Sequence, residues 1–316
     1  MRRLLIAVIL ALFAAAPALA DDAALDRLVA DYEAYALSQD PIAAGQEGDR
    51  AGLARLPDVS LAQALLRKAA YQGFKARLDA IGPTALTEPA KLNRAFLAWT
   101  LDRRLASLAF DEDRMPFNSD GGFDQTLAYL ADTTNLNTEA DAQAWIARLR
   151  AAPRFYADNI ANARRGVASG FTQPRSTNET VLARARAAAA TPPDGDALLK
   201  PFAGARFAPE LVAALRAQAV GVIRDQIRPA QRDFVTFLER EYLPASRKAL
   251  AARSLPNGEA YYRWLVADHT TTRLSPDEIH ALGLAEVARI HAEMLTVMAE
   301  TGWKGDLPGF IASLRK

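Results

Sequence analysis

Apolar positions recur every three or four residues along most of this chain, which is the spacing of helices with one buried side. Leu25, Leu28, Val29 and Tyr32 share one side of a helix predicted over 21–38, and Asp40-Pro41 ends it. A polar loop with Gly48 and Pro57 follows over 45–58. Ser60 with Gln63 opens the next helix, which runs to about Ile81 and stops at Gly82-Pro83. A third helix over 88–109 carries Leu92, Phe96, Leu97, Trp99, Leu101 and Leu105. The stretch 111–123 reads as irregular, with Met115-Pro116 and Gly121-Gly122. Thr138 with Asp141 starts a helix holding Trp145, Ile146 and Leu149, and another piece follows from Pro153 to Val167. A helix is predicted over 177–190, then a turn-rich break at Thr191-Pro192-Pro193-Asp194-Gly195, the best candidate for a subdomain hinge. One long helical pattern covers 209–242, where Pro229 is expected to kink or split it, and a further helical piece covers 244–255. No strand-like alternation exceeds a few residues, so the fold class is all-α, a multi-helix array.

The densest signals lie in 254–301. Asn257 is a cap candidate for a helix with Glu259 in its opening turn and Tyr261, Leu265 and Val266 on a buried side. Tyr261 and Tyr262 point to different sides of that helix, so at most one belongs to a core. The next helix starts at Ser275, with Pro276 at its first position and Glu278 completing a capping box. Gly302 supplies a left-handed stop. Within this helix, His280, Leu284, Val287, His291, Met294 and Met298 form a seam for a partner helix. Gly283 points to close approach of another element. Ile279, Leu282, Ile290 and Val297 widen the apolar arc, which is the pattern of a helix covered on two sides. One side is expected on the helix carrying Tyr261 to Val266, and the other against something further.

Composition narrows the function classes. The 316 residues are half hydrophobic and carry a net charge of +1, so no nucleic-acid or membrane electrostatics is implied. Cysteine is absent, which removes disulfides, zinc ribbons, thiol catalysis and a cysteine-linked lipid anchor. Residues 1–20 read as a secretory signal: Arg2 and Arg3, an apolar run from Leu4 to Phe13, and Ala18-Leu19-Ala20 before a mature start at Asp21. The mature region, 21–316, has no other segment apolar enough to span a bilayer, so no membrane association is expected after cleavage.

Chemistry-bearing residues are few. The three histidines are His269, His280 and His291. His280 and His291 stand on one helix face about 16 Å apart, too far to share a metal. No His-Glu-x-x-His, nucleophile elbow or phosphate-binding glycine loop occurs. His280 reads either as a cleft residue or as a capped core-edge histidine. His269 with Thr270, Thr271 and Thr272 could orient a peptide backbone, or the hydroxyls could satisfy the turn's own amides. An exposed Tyr262 could donate to a developing oxyanion. Asp111-Glu112-Asp113 reads as a solvated charge run.

The stretch Tyr261-Tyr262, His269 to Thr272, Leu274 to His280 and Leu282 to Val287 resembles the bacterial domain-of-unknown-function family 885, DUF885. The run Arg164-Arg165-Gly166, Gly170 and Pro174 is similar to a loop of the same family. The resemblance implies a helical zinc-metallopeptidase-like protein akin to the angiotensin-converting-enzyme and oligopeptidase group. It implies zinc and a peptide substrate for the full-length protein. The family's zinc helix is not in these residues, so no catalytic, cofactor or metal ligand is assigned. The chain is then expected to be a truncated N-terminal portion forming part of a cleft wall, with Tyr262, His269, Thr271 and His280 as cleft candidates. The alternative is a periplasmic helical binding or scaffolding protein without catalysis.

Overall fold

The computed structural model describes the backbone of residues 2–315 and the side chains of residues 21–315. The secretory signal expected over residues 1–20 lies outside the described side chains. The chain is all-α, with no strand among the described residues. It divides into two compact units, one up to Leu250 and one from Ala251.

The first unit opens with α1 (Arg2–Gln39) and the short α2 (Pro41–Gln46). Asp40 does more than end α1: its carboxylate accepts the amides of Ile42 and Ala43 and so starts α2. α3 (Leu61–Asp79) begins where Ser60 accepts the Gln63 amide, as its sequence indicates. α4 (Glu88–Phe110) follows, and α1, α3 and α4 share a core of Leu25, Leu28, Tyr71, Leu78, Leu97 and Leu101. α5 (Phe123–Thr133) is an element the sequence reading passes over. Its signal is plain once the start is known, because Phe123, Leu127, Leu130 and Ala131 are buried at helical spacing.

α6 (Glu139–Ser169) is the centre of the unit. Thr138 and Asp141 form the expected capping box. The expected break at Pro153 does not occur: one helix passes through it. A mid-helix proline costs about 3 kcal/mol. Here Trp145, Ile146, Leu149 and Ala152 on one side of it and Phe155, Tyr156, Ile160 and Ala163 on the other are buried in two separate clusters. Burial of that many side chains, at about 1.5–3 kcal/mol for each large one, outweighs the proline.

α7 (Arg175–Ala190), the single turn α8 (Lys200–Ala203), α9 (Pro209–Val222) and α10 (Arg228–Phe237) follow, with α9 and α10 packed on α6, α7 on α10 and α8 on α5. Between α9 and α10 lies a π-helical turn, Ile223–Ile227. The Arg228 amide reaches back five residues to the Ile223 carbonyl, and Pro229 follows at once. The proline thus changes the winding where a kink or split was expected. A second π turn, Leu238–Tyr242, ends the helical run. The helix expected over 244–255 is not formed beyond a 3-10 turn at Ala252–Ser254. Arg247 is drawn into other bonds: its carbonyl accepts the Arg175 amide at 2.9 Å and its Nε donates to the Thr172 carbonyl at 2.9 Å. The 191–195 break stays within this unit, where Arg228 Nε donates to the Thr191 carbonyl at 2.8 Å.

The second unit holds α11 (Gly258–Thr270), α12 (Pro276–Glu300) and α13 (Leu307–Ser313). Ser275 and Glu278 make the expected capping box and Gly302 is left-handed. Asn257 is itself left-handed and offers no side-chain cap, contrary to its sequence reading. Its backbone turns so that Gly258 passes the Ala252 carbonyl, 2.3 Å from where a Cβ would sit. α12 has no buried residue, although Ile290, Met294 and Val297 meet Leu307, Phe310 and Leu314 across a shallow groove. The space around Gly283 is open rather than closely approached.

Candidate functional site

His269 and Thr271 fall on the α11–α12 corner, with Tyr262 in the first half of α11 and His280 in the second turn of α12. Tyr261 is buried, with its ring stacked on Trp264 at 6.0 Å, and Tyr262 is exposed on the other side of α11. His269 Nδ1 lies 2.9 Å from the Leu265 carbonyl. A carbonyl only accepts, so Nδ1 carries the proton and Nε2 is the nitrogen presented outward. The buried Asp268 carboxylate stands 3.9 Å from the same Nδ1.

Thr271 ends α11 with φ 53°, a conformation costly for a β-branched residue. Its hydroxyl donates to the Thr270 carbonyl at 2.8 Å. The Thr270 hydroxyl donates to the Val266 carbonyl at 2.8 Å and lies 2.9 Å from the Thr272 hydroxyl. The Thr272 hydroxyl also accepts the Leu274 amide at 3.4 Å. These hydroxyls are engaged with the turn's own groups. His280 lies on the exposed surface of α12, on the turn after the capping box. α11 exposes the His269 imidazole and the Tyr262 phenol. It brings together no nucleophile–base pair, and no group of three histidine or acidic side chains that could hold a metal occurs among the described residues.

A second charged site lies in the first unit and escapes the sequence reading. α4 ends at Asp111, which is left-handed at φ 54°, and the turn Glu112–Arg114 follows. Asp111 Oδ2 accepts Arg165 Nη1 at 2.5 Å and lies 3.3 Å from Arg114 Nε. Glu112 accepts the Ser107 hydroxyl at 2.6 Å. Asp113 is 3.8 Å from Arg67. Burial pushes its carboxyl above the usual carboxylate range, opposed by Arg67 and assisted by Asp111. Asp111-Glu112-Asp113 is therefore a paired acidic turn that keeps part of its surface in solvent. Its partners stand far away in sequence, which is why spacing alone hides it.

The same site accounts for Arg164-Arg165-Gly166. Arg164 grips Glu241 with two bonds, of 2.8 and 2.7 Å, and Arg165 also donates to Asn162 at 2.9 Å. Gly166 touches the Arg114 carbonyl, and Gly170 ends α6 in the left-handed region. Arg114 donates to Ser169 at 2.8 Å and lies over the Phe171 ring at 4.1 Å. Arg165 and Gly166 thus lock the end of α6 to the acidic turn, while Arg164 ties it to the second π turn.

Comparison with known proteins adds the family. The family described as "Bacterial protein of unknown function (DUF885)" matches residues 41–316. The chain belongs to the DUF885 family. A comparison with curated proteins gives no match. Among solved structures, this DUF885 chain is similar to that of a candidate lipoprotein from Colwellia psychrerythraea, with a TM-score of 0.71 at 17% identity. The match covers 80% of this chain and 46% of that one, so the chain spans about half the length of its solved relative. At that identity the likeness shows the fold. No helix among the described residues is long and apolar enough to cross a membrane.

Proposed function

We propose that this DUF885 chain is the N-terminal, cleft-wall portion of an exported protein of the zinc-metallopeptidase-like kind, with the metal-binding helix outside these residues. The observation that carries the reading is α12. Leu282, Leu284, Val287, Ile290, Met294 and Val297 are all exposed on it, and the helix buries nothing. A helix with that much apolar surface ordinarily lies between two neighbours. The zinc implied for the family does not fit the residues described here, since His269, His280 and His291 do not converge and no group of three histidine or acidic side chains that could hold a metal occurs among the described residues. On this reading Tyr262, His269, Thr271 and His280 line one side of a peptide-binding cleft and carry no bond-breaking step. Export rests on the charged start, apolar run and Ala18-Leu19-Ala20 of residues 1–20.

The test compares this chain with the product of the same gene carried past Lys316. Zinc content after dialysis and cleavage of a peptide library are measured on both. The expected result is no tight zinc and no cleavage by the chain alone, with both present in the longer product. Stoichiometric zinc in the chain alone, lost on His280→Ala, overturns it. A longer product that also lacks zinc and cleavage favours the non-catalytic binding or scaffolding protein.

A further inference from the structure

Arg148 on α6 is 3% exposed, yet no carboxylate pairs with it. Its Nε donates to the Arg55 carbonyl at 3.0 Å and its Nη2 to the Gly52 carbonyl at 2.8 Å. A guanidinium has five N–H donors, so three are left without a protein acceptor. The comparison with other arginines of this unit is direct. The buried Arg228 is paired with Asp196, and the half-buried Arg165 with Asp111. A buried charge without a counter-charge costs several kcal/mol. Burial presses the Arg148 pKa down, but a guanidinium remains charged at any physiological pH.

The free edge of Arg148 is not sealed, because Nη1 is not among the buried atoms lacking a partner. Arg148 lines a cavity of about 360 Å3 between α2, the turn Gly52–Ala54, the end of α5 and the start of α6. That volume lies within the range of small-molecule sites, roughly 300–1,000 Å3. Ile42, Leu53, Leu130 and Trp145 make one part of the wall apolar, and Thr133 and Thr134 add hydroxyls. Asp141 is the acidic residue on the wall. Its charge is already met by Arg50 at 2.6 Å, by the Thr138 hydroxyl at 2.8 Å and by the amides of Asn137 and Thr138. It stands seven residues before Arg148, about 10.5 Å along the helix axis. The positive charge of Arg148 is the one left unmatched.

We propose that this cavity binds a small carboxylate with an apolar body, its carboxylate on the free edge of Arg148 and its apolar part against Ile42, Leu53 and Leu130. A planar carboxylate fits one guanidinium edge with two parallel hydrogen bonds. A dianion such as phosphate would need a second cation, and the nearest wall charge is the Asp141 carboxylate. The same chemistry is offered by a free aliphatic acid and by the C-terminus of a peptide ending in an apolar residue.

The test is isothermal titration of the whole chain with hexanoate, with a short leucine-ending peptide bearing a free C-terminus, and with the same peptide amidated. One-to-one binding of hexanoate or of the free-acid peptide is expected, with no binding of the amide. Hexanoate alone identifies a free acid, and the peptide alone identifies a chain terminus. Arg148→Lys keeps the charge but not the fork and is expected to weaken binding at least tenfold. Gln46→Glu, at an exposed position of the cavity rim, adds a repelling charge without touching the core and is expected to weaken binding with an unchanged thermal melt. Failure of folded wild-type protein to bind either acid, or equal binding by Gln46→Glu, overturns the proposal.

Discussion

The backbone of Gly166 lies against the carbonyl oxygen of Arg114, 2.5 Å from where a Cβ would sit. The Phe171 carbonyl is also close, at 2.8 Å from that point. Both neighbours are main chain, so neither can swing aside. Gly166→Ala is expected to cost about 1–3 kcal/mol, the range for forced overpacking. A urea midpoint unchanged from wild type would contradict this.

The Asp196–Arg228 pair joins the 191–195 break to α10 and is almost wholly buried. Arg228 also donates to Gln231 and to the Thr191 carbonyl. Asp196→Ala strands the guanidinium and is expected to destabilise the first unit by about 3–5 kcal/mol. The exposed pair Arg224–Asp225 serves as a control, because solvent screens an exposed pair and leaves it little net effect on stability. Chemical denaturation of both alanine variants checks the contrast.

Two buried phenols set an alkaline limit. Burial raises Tyr156 strongly, and it pushes Tyr242 from its ordinary 10.0 up to about 12. Below pH 10 both phenols are protonated whether the chain is folded or not, and they add no pH dependence. Above it the unfolded chain loses protons first, so stability falls as pH rises from 10 through 12. Tyr156→Phe is expected to flatten that slope, read from denaturant midpoints across the same pH range.

Asp113 works in the carboxylate range. Its raised pKa means the folded state holds the proton longer, so stability falls as pH rises above the ordinary carboxylate value. Asp113→Asn is expected to raise the melting temperature more at pH 7 than at pH 3. An equal shift at both pH values would show that Arg67 fully compensates the charge.

α12 makes the exposed apolar surface of the second unit. Leu284→Glu and Val287→Glu together are expected to reduce hydrophobic-dye binding and self-association measured by light scattering. Each side chain is more than half exposed, so stability should change by no more than about 0.5 kcal/mol per site.

Local signals translated well into structure. Ser60, Thr138 and Ser275 cap the helices their sequences announce, because a cap needs only residues three apart. Pro153 and residues 244–255 did not follow local preference, because long-range burial and the bonds of Arg247 decide them. Tyr262, His269, Thr271 and His280 were singled out by resemblance alone. The acidic turn was not legible, since Arg67 and Arg165 reach it from distant parts of the chain. Arg148 was equally silent, because a carbonyl acceptor leaves no trace in residue identity.

The π turn at Ile223–Ile227 has a bearing on how this chain can vary. It inserts one residue into the winding just ahead of Pro229, so proline and insertion form one unit. Replacing Pro229 alone leaves the surplus residue in place, and α10 keeps its present rotation with Phe234 and Phe237 still inward. Removing one residue from 223–227 alone turns α10 by about 100° and carries those rings toward solvent. Lineages that lose this proline freely should therefore keep the length of the segment, whereas a shortened segment demands that the inward positions of α10 be rewritten.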